Sequence, residues 1–401
     1  MQSPQEFFGP RSSDRRSHVS HDSPTSSVAF FGNYPPRQCG IATFTHDICE
    51  HYASSFIGTE CVAIAMTDVE PGYDYPARVS LEVQQDRRED YKQAARYLNG
   101  LNPAIVSLQH EFGIFGGQHG DYLLEFLHEC EIPIVTTMHT VIATPSRSQR
   151  RVTQEIIDAS AGIIVMAEKA RSLLQELYRI DAERIHVVAH GIPEAAFPST
   201  EAAKHLLNLA AHHVILTFGL IGPGKGLEHG IRAMRAVADE HSDALYVILG
   251  ATHPNLIKAE GERYRASLKD LVRSLDLEDN VRFVDRFVDL DELTTYLGAA
   301  DIYLTPYPNE AQITSGTLAY ATGCGCPVIS TPYWHARELI TEDRGLLTPF
   351  NDVQRLARNI SEMIGDPDRR QSMREAAMEA GKATYWPEIA RQYDQIFHAS
   401  L

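Results

Sequence analysis

Short apolar segments alternate with amphipathic segments along most of the chain. Apolar runs of strand length, such as "SVAFF", "TECVAIAM", "PAIVSL" and "IPIVTT", are separated by stretches with helical spacing, such as "DRREDYKQAARYLNGL". Continuous Val, Ile and Leu runs are typical of parallel strands covered on both faces, because half-exposed strands alternate instead. The pattern therefore predicts an α/β protein built from doubly wound parallel sheets.

The alternation is interrupted once, between Pro193 and His213, and then restarts. This break predicts a linker between two Rossmann-like domains, residues 27–205 and 206–382, followed by a final segment, residues 383–401. Ligands bind outside the carboxyl ends of the strands in such sheets, so two facing sheets place a cleft between the domains. Residues 1–26 are rich in Ser, Pro and Arg and lack the apolar core of a secretory signal, which predicts a disordered leader.

The composition narrows the classes of partner. Lys and Arg total 36 against 53 Asp and Glu, and the resulting net charge of −17 argues against nucleic acids and anionic membranes. No apolar run reaches the roughly 18 residues that span a bilayer, so no membrane span is predicted. The 6 cysteines lack the spacing of a disulfide framework, which favours a cytoplasmic location. The sequence carries no signal for the oligomeric state.

Cys324 and Cys326 raise the question of a metal site. A zinc site needs a second pair of Cys or His ligands nearby, and the surrounding sequence supplies none. His110, His119 and His139 also lack tight ligand spacing. We therefore predict no metal ligand, and we interpret the small residues around the two cysteines as tight packing.

Two loops after predicted strands of the first half hold candidate ligand-binding residues. Gly40 opens a helix after "GNYPPRQC", where free N–H groups and the helix dipole favour an anion, and Arg37 adds positive charge. A turn stiffened by proline is the alternative for this loop. The second loop, "QHEFGIFGG", pairs sugar-binding or proton-transferring side chains with glycines that let the backbone approach a ligand. Its candidates are His110, Glu111, Gly116 and Gly117.

Two further histidines, His139 in "TTMHTV" and His190 in "VVAHGI", end predicted strands. A lone histidine is more often structural than functional. The carboxyl end of a parallel strand is where ligands bind, so this position makes a role in the site as probable as a structural one.

The matching loops of the second half carry phosphate-binding chemistry. In "FGLIGPGKGLE", Gly222 and Lys225 precede a helix, although the spacing of a Walker A motif is absent. In "NEAQITSGTLAY", Glu310 and Gln312 suit the hydroxyl groups of a sugar. The "TSGT" turn that follows offers amides and hydroxyls to an anion. The candidates here are Glu310, Gln312, Thr314, Ser315, Gly316 and Thr317, with Glu338 in the same region.

Together these motifs resemble retaining glycosyltransferases of the GT-B fold, and the chain is similar to family 4 from about Val28 onward. "FGLIGPGKGLE" resembles the family's Gly-Arg-Leu-x-x-x-Lys-Gly segment, and "GCGCPVIST" resembles its Gly-x-Pro-Val turn. The resemblance implies an acceptor-binding first domain, a donor-binding second domain and a closing helix, "YWPEIARQYDQIF", that crosses back to the first domain. It also implies that Gly40 is the first-domain loop glycine, that His139 lines the transfer site and that Lys225 contacts the donor's phosphates.

The chain departs from the family pattern at several positions. The family's Arg before the Lys aligns with Leu220, which removes one phosphate-binding charge. The family's Glu-x7-Glu pair, which holds the donor sugar and the ribose, falls at Gln312 and Tyr320, or at Glu310 for the first with a shift of two residues. Glycogen and starch synthases also have Tyr at the second position. The "SGT" run resembles the phosphate-facing turn of glycogen phosphorylases as well, so a sugar 1-phosphate is the alternative donor.

The resemblance implies hexosyl transfer with retention from a nucleotide sugar to a carbohydrate or small hydroxylated acceptor, by front-side displacement and without a required cofactor. No pair of carboxylates is placed for double displacement. His139, Lys225 and Glu310 are the expected catalytic residues. A retaining glycoside phosphorylase is the alternative, and a GT-B epimerase or a non-catalytic sugar-binding protein is less favoured. The residues expected at the acceptor are Arg37, His110, Glu111, Gly116, Gly117 and His190.

Overall fold

The computed structural model describes residues 26–194 and 198–401, and the predicted leader lies outside them except for Ser26. Within these residues, two parallel sheets form, one of seven strands and one of six. The first contains β1 (Ser27–Gly32), β2 (Glu60–Thr67), β3 (Val79–Gln84), β4 (Ile105–His110), β5 (Ile134–Met138), β6 (Gly162–Val165) and β7 (Ile185–Val187). The second contains β8 (His213–Phe218), β9 (Ala244–Leu249), β10 (Val281–Val284), β11 (Ile302–Thr305), β12 (Val328–Ser330) and β13 (Gly345–Leu347).

Helices connect the strands and cover both faces of each sheet. Those before β8 are α1 (Gly40–Ser55), α2 (Arg88–Leu101), α3 (Leu123–Glu129), α4 (Arg147–Ala159), α5 (Glu168–Tyr178) and α6 (Thr200–Leu206). Those after it are α7 (Leu227–Glu240), α8 (Pro254–Glu260), α9 (Arg263–Ser274), α10 (Leu290–Ala299), α11 (Gly316–Gly323), α12 (Trp334–Leu339), α13 (Val353–Gly365), α14 (Pro367–Gly381) and α15 (Trp386–Ala399). The doubly wound α/β architecture predicted from the sequence is confirmed.

Burial on both sheet faces explains the continuous apolar runs. In β1, Ala29 and Phe31 lie in one buried cluster, whereas Val28 and Phe30 lie in another on the opposite face. Adjacent strand residues point to opposite faces, so both sets of positions must be apolar when both faces are covered. All six residues of β4 and of β9 are buried for the same reason.

The strand order determines where each sheet opens. The orders are β3-β2-β1-β4-β5-β6-β7 and β10-β9-β8-β11-β12-β13, so the direction of winding reverses between β1 and β4 and between β8 and β11. The loops that leave the carboxyl ends of these strand pairs diverge and form a crevice. Sequence motifs in the loops after β1, β4, β8 and β11 are therefore brought to these crevices.

The chain crosses between the domains twice, and the two crossings pair with each other. Ile192 N donates to Thr384 O at 2.9 Å, and Trp386 N donates to Ile192 O at 3.0 Å. Beyond this pairing, α15 packs on α1 of the first domain, where the Tyr393 hydroxyl lies 2.9 Å from Thr137 Oγ1. The predicted return of the closing helix is confirmed.

The sequence pattern missed some elements. Strand β3 lies at the edge of its sheet, and its residues alternate between partly buried and exposed for most of its length, so it lacks the continuous apolar run of the inner strands. The predicted linker contains the short helix α6, and the predicted boundary at 205/206 falls within it. No helix in the described parts of the chain is long and apolar enough to cross a membrane.

Candidate active site

Lys225 and three hydroxyl groups converge at the crevice of the second sheet. Lys225 ends a short turn, Pro223–Lys225, after β8, and its Nζ lies 2.7 Å from the hydroxyl of Tyr307, which follows β11. Thr317 Oγ1 lies 3.2 Å from the Tyr307 hydroxyl and 3.2 Å from Ser315 Oγ. None of the carboxylates in residues 26–194 and 198–401 forms an ion pair with Lys225. In the described residues the ammonium is therefore not neutralised by an acidic side chain and lies beside hydroxyl groups, as an anion site requires.

Glycines make this convergence possible. A Cβ on Gly219 would lie 2.9 Å from Thr317 Cγ2 and 3.2 Å from Lys225 Nζ, and Gly219 has φ +112°. Gly226 has φ +62°, and a Cβ there would lie 2.2 Å from the Pro306 carbonyl oxygen. Both positions combine a left-handed backbone with a close approach, which only glycine adopts without strain. Lys225 is therefore held between two obligatory glycines.

The pKa of Tyr307 reflects its contact with the lysine. Burial alone would raise the pKa of this phenol, but the Lys225 ammonium and the hydrogen bonds with Thr317 and Ser315 outweigh burial, so the pKa is lowered. The ring of Tyr307 stacks on that of Tyr333, with centroids 4.9 Å apart, and Lys225 Nζ lies 5.0 Å from the Tyr307 centroid. The lysine thus has an aromatic partner in place of a carboxylate.

The start of α11 offers fewer amides than the sequence suggested. Ser315 caps the helix, since its Oγ accepts from Leu318 N at 3.3 Å. The Ser315 N–H donates to Nδ1 of the buried His335 at 2.8 Å, so it is already used. The N–H groups of Gly316 and Thr317 have no hydrogen-bond partner among the residues described. Two amides at the positive end of the helix dipole thus remain for an anion.

The side chains proposed to hold the donor sugar lie at the same loop but have local partners. Glu310 accepts from Arg337 Nη2 at 2.8 Å, and both side chains are about half exposed. Gln312 Nε2 donates to the carbonyl oxygen of Thr314 at 2.6 Å. These contacts leave Glu310 accessible and turn the Gln312 amide inward toward its own loop.

Two predicted donor residues instead join the domains. The carboxylate of Glu338 accepts from the N–H groups of Glu168 and Lys169 at the start of α5, each at 2.8 Å. This geometry makes Glu338 a cap for a first-domain helix. On another part of the interface, Lys258 Nζ lies 3.5 Å from Asp68 Oδ2.

Tyr320 is the second predicted donor residue that joins the two domains. Its hydroxyl donates to Asp47 Oδ2 of α1 at 3.1 Å, and its ring lies edge-on to His190 with centroids 5.8 Å apart. A Cβ on Gly316 would lie 2.7 Å from His190 Nε2, so this histidine of the crossover touches the start of α11. His190 Nδ1 lies 2.7 Å from Gly191 O, which assigns the proton to Nδ1 and leaves Nε2 as an acceptor.

Of the first-domain candidates, Gly40 has the open position. Among the described residues, no atom beyond its chain neighbours and its own helix lies within 4 Å of a Cβ placed on Gly40, so packing there does not require a glycine. The N–H groups of Gly40 and Ile41 have no partner in the described residues. Arg37, by contrast, is engaged within its own domain by Asn33 Oδ1 at 3.0 Å and Gln85 Oε1 at 3.0 Å.

His139 is buried at the end of β5 with a defined tautomer. Its Nε2 lies 3.0 Å from Gln109 Oε1, and the amide nitrogen of Gln109 donates to Ser107 Oγ at 3.1 Å. This network assigns the proton to Nε2 and leaves Nδ1 as an acceptor. Burial, with smaller contributions from the His190 and His110 rings, lowers the pKa of His139 to about 3. The ring is therefore neutral at physiological pH and suited to accept a hydrogen bond from a hydroxyl.

His110 and its loop lie deeper than the sequence suggested. His110 is 1% exposed, neither of its ring nitrogens has a hydrogen-bond partner in the described parts of the chain, and the ring stacks on Phe115 with centroids 5.9 Å apart. Glu111 accepts from the N–H of Phe112 at 3.0 Å and from the Thr140 hydroxyl, and burial raises the pKa of its carboxyl. These contacts occupy the loop from within the domain.

The glycines of the same loop have a packing explanation. A Cβ on Gly116 would lie 2.0 Å from the Gln85 carbonyl oxygen, and one on Gly117 would lie 2.1 Å from Asp121 Oδ1. Gly117 also has φ +82°. Close approach of the backbone to other parts of the domain therefore accounts for both residues without a ligand.

We expect His110→Leu to leave the free energy of unfolding at pH 7 unchanged within about 1 kcal/mol, because the change removes two unpaired nitrogens. Burial lowers the pKa of His110 from 6.5 to about 4. The unfolded chain takes up a proton below about pH 6.5 and the folded chain does not, so this residue reduces stability as the pH falls toward 4. Urea unfolding between pH 7 and 4.5 should show a flatter pH dependence in the variant. His128→Leu, at an exposed histidine, is the control, and an unchanged slope in His110→Leu would contradict the assignment.

The cysteine pair is part of the core. Cys324 and Cys326 are 2% and 0% exposed, Cys326 Sγ donates to Leu297 O at 3.2 Å, and burial raises its pKa to about 11. Within the described parts of the chain, no group of three or more His, Cys, Asp or Glu side chains is arranged to hold a metal ion.

Sequence reasoning missed four residues that shape the site, namely Asp47, Gln109, Tyr307 and His335. Tyr307 and Gln109 could have been found, since each lies at the carboxyl end of a strand beside the topological switch. The other two contact the site from helices α1 and α12, and no local pattern marks them.

Two family models match the chain. "Glycosyltransferase Family 4" matches residues 40–195, and "Glycosyl transferases group 1" matches residues 200–380. The two matches are consecutive and correspond to the two domains.

Curated relatives agree with these matches. A D-inositol 3-phosphate glycosyltransferase of Kineococcus radiotolerans is 27% identical over 300 residues, which cover 68% of this chain and 67% of the relative. A GDP-mannose-dependent monoacylated alpha-(1-6)-phosphatidylinositol monomannoside mannosyltransferase of Corynebacterium glutamicum is 31% identical over 156 residues, 38% of each chain. The chain thus spans about two thirds of the length of the first relative and less of the second.

Solved structures share the fold across nearly the whole chain. Anabaena HepE in complex with UDP and glucose has a TM-score of 0.75 at 15% identity, covering 93% of this chain and 99% of that one. Sucrose-phosphate synthase from Thermosynechococcus elongatus has a TM-score of 0.77 at 18% identity, covering 93% and 98%. At these identities the likeness shows the arrangement of the two domains.

Proposed function

This chain belongs to the family-4 glycosyltransferases of the GT-B fold, and we propose that it transfers a hexosyl group with retention from a nucleotide sugar to a small hydroxylated acceptor. The observation that carries the proposal is the Lys225 ammonium, which has no acidic partner in the described residues and faces Thr317, Ser315 and the start of α11. A diphosphate leaving group is the anion that this arrangement suits.

The proposed reaction is a front-side displacement. The acceptor oxygen bonds to the anomeric carbon on the face from which the phosphate leaves. The carbon–oxygen bond to phosphate breaks with its electron pair on oxygen, and the acceptor's proton passes to that oxygen. Lys225 and the N–H groups of Gly316 and Thr317 stabilise the charge that develops there, which is the contribution that raises the rate most. The proposal requires no cofactor because these groups supply the positive charge.

The first domain would bind the acceptor and orient the sugar. Neutral His139, with Nδ1 as acceptor, is suited to hold a hydroxyl of the transferred hexose. Gly40, with open space in place of a side chain, suits the approach of the donor's phosphates to the start of α1. Glu310 is the accessible carboxylate at the donor loop and is proposed for the hexose hydroxyls.

Names of similar proteins support the substrate classes. The solved HepE complex contains UDP and glucose, and two curated relatives are named for D-inositol 3-phosphate and for GDP-mannose. We therefore propose a UDP- or GDP-activated hexose as donor and a cyclic polyol, a polyol phosphate or a sugar as acceptor. A cytoplasmic location belongs to the same proposal, and the six cysteines, which are free, are compatible with it.

A retaining phosphorylase is the second candidate, and a specific observation favours it. The position that holds the ribose in the family is Tyr320, whose hydroxyl is bonded to Asp47. The aligned sugar position is Gln312, whose amide is turned to Thr314. A sugar 1-phosphate has no ribose. It would bind at the Lys225 cluster and would not need the two glutamates that the family has at these positions.

A donor panel separates the candidates. UDP-, GDP- and ADP-hexoses and the matching hexose 1-phosphates would be tested with myo-inositol, inositol phosphate and glucose as acceptors, with and without inorganic phosphate. Release of nucleoside diphosphate with an axial product linkage from an axial donor, read by NMR, is the expected result. The second proposal would replace the first if two results are obtained together. One is phosphate-dependent cleavage of a glycoside, and the other is a melting temperature that rises with hexose 1-phosphate but with no nucleotide sugar. Ligand binding without turnover of any donor would contradict both.

A further inference from the structure

We propose that Tyr307 is a positioning residue, which holds the Lys225 ammonium at the donor's phosphate and, through the hydroxyl of Thr317, orients the hydroxyl of Ser315 as a donor toward it. This inference rests on the proposed function, since it concerns the same phosphate site. It assigns a role that neither the motifs nor the similar proteins indicate.

A lysine side chain that binds phosphate must be held in one conformation. Its four-carbon stem has many rotamers, and this conformational entropy must be lost when the ammonium is held in one place. A carboxylate would hold it but would also cancel its charge. Tyr307 solves both difficulties, because its hydroxyl accepts from Lys225 Nζ at 2.7 Å while the pair keeps a net positive charge. The ring adds a cation–π contact at 5.0 Å.

Tyr307 can hold the lysine because it is itself fixed. Its side chain is 5% exposed, and its ring is stacked on Tyr333 at 4.9 Å with an interplanar angle of 16°. The Tyr333 hydroxyl lies 3.2 Å from Thr305 Oγ1 and also interacts with Ser315, but no hydrogen bond joins it to Lys225 in the described residues. The two stacked tyrosines are thus both buried, and of the two it is Tyr307 that accepts from Lys225 Nζ.

The hydrogen-bond directions follow from the ammonium. Lys225 can only donate, so the Tyr307 oxygen accepts from it and the phenol's own proton is available to Thr317 Oγ1 at 3.2 Å. Thr317 then donates to Ser315 Oγ at 3.2 Å, which also accepts from Leu318 N. The Ser315 proton is left at the end of this chain, where an anion bound at the start of α11 would accept it.

The test compares Tyr307→Phe with Tyr333→Phe, each of which removes one hydroxyl from the same stack. We expect Tyr307→Phe to lower kcat/KM for the donor about 10- to 100-fold, the range for a lost hydrogen bond to a charged group. Tyr333→Phe should stay within about twofold of the unmodified protein. Because Tyr307 acts through Lys225, adding Lys225→Ala to Tyr307→Phe should cost much less than Lys225→Ala alone.

The pH profile gives a readout that a merely structural role would not move. When Tyr307 ionises, its phenolate cancels the charge of Lys225, so donor binding should weaken on the alkaline side. Because the pKa of Tyr307 is lowered, this weakening should begin at a pH below the ordinary tyrosine pKa. The neighbouring Tyr303 and Tyr333 have raised pKa values, mainly through burial, and His253 beside Lys225 has a lowered pKa. The two tyrosines therefore ionise above the ordinary tyrosine pKa, and His253 below the ordinary histidine pKa. Tyr307→Phe should move the alkaline limb to higher pH, and Tyr333→Phe should not.

Equal kcat/KM in the two tyrosine variants, an alkaline limb that does not move, or full additivity with Lys225→Ala would each overturn the inference. Urea unfolding checks that both variants fold. If Tyr307→Phe does not fold, Thr317→Val, a nearly isosteric change, tests the hydroxyl chain instead. If no donor is turned over, the proposed function fails by itself. Calorimetric affinities for UDP and inorganic phosphate then test Tyr307 separately, with Tyr307→Phe expected to bind each more weakly than Tyr333→Phe.

Discussion

Lys225→Ala is expected to lower turnover by about two orders of magnitude or more, as the loss of one preorganised charge contact in the transition state does. The reason is the isolation of this ammonium, which contacts the Tyr307 hydroxyl at 2.7 Å and has no carboxylate partner among the described residues. Steady-state kinetics with the donor identified by the panel would measure the effect as kcat and KM separately.

The control for this change is Lys382→Ala, at a lysine that is exposed and paired with Glu379. It should leave kcat unchanged. Lys225→Arg keeps the charge but replaces a compact ammonium by a planar group, so an intermediate loss is expected. Near-normal turnover of Lys225→Ala would mean that the phosphate is bound elsewhere in the cleft.

Gly226→Ala is expected to lower the free energy of unfolding by about 3 kcal/mol, combining a left-handed backbone with an overpacked contact. Gly226 has φ +62°, and the added Cβ would lie 2.2 Å from the Pro306 carbonyl oxygen. That contact is with backbone, so relief requires movement of the loop after β11. Since this loop carries Tyr307, turnover should fall together with stability.

Gly224→Ala, two residues earlier in the same turn, is the matched control. Nothing lies within 4 Å of a Cβ placed there, and Gly224 is exposed. Urea unfolding should give the same midpoint for this variant as for the unmodified protein. A Gly226→Ala midpoint close to that of Gly224→Ala would show that the turn can rearrange freely.

Much of the fold was predictable because its signals are local. Continuous apolar runs mark strands with both faces covered, as in β4 and β9, and the break after Pro193 separates the two domains. Strand β3 escaped this reasoning because an edge strand need not be apolar on both faces. Helix α6, with seven residues, is too short to show a clear period within the linker.

The candidate site was predictable to the level of loops. Parallel strands place their carboxyl ends at one edge, so Gly40, His139, Lys225 and Ser315 could be assigned to the cleft from their positions after strands. The structure brings Lys225 and Ser315 into one cluster through Tyr307 and Thr317. What each side chain does within the cleft was not predictable in the same way.

The sequence by itself determined the two-domain α/β architecture and the loops that meet at the cleft, because strand periodicity and strand-end position are encoded within short segments. The crossing helix was implied by the family resemblance. Only the tertiary structure decided which groups remain available to a ligand. The Ser315 amide is taken by His335, the Glu338 carboxylate by the start of α5, and the Tyr320 hydroxyl by Asp47. Each partner lies far away in sequence, and a buried or capping hydrogen bond is satisfied by whatever group the fold brings within reach.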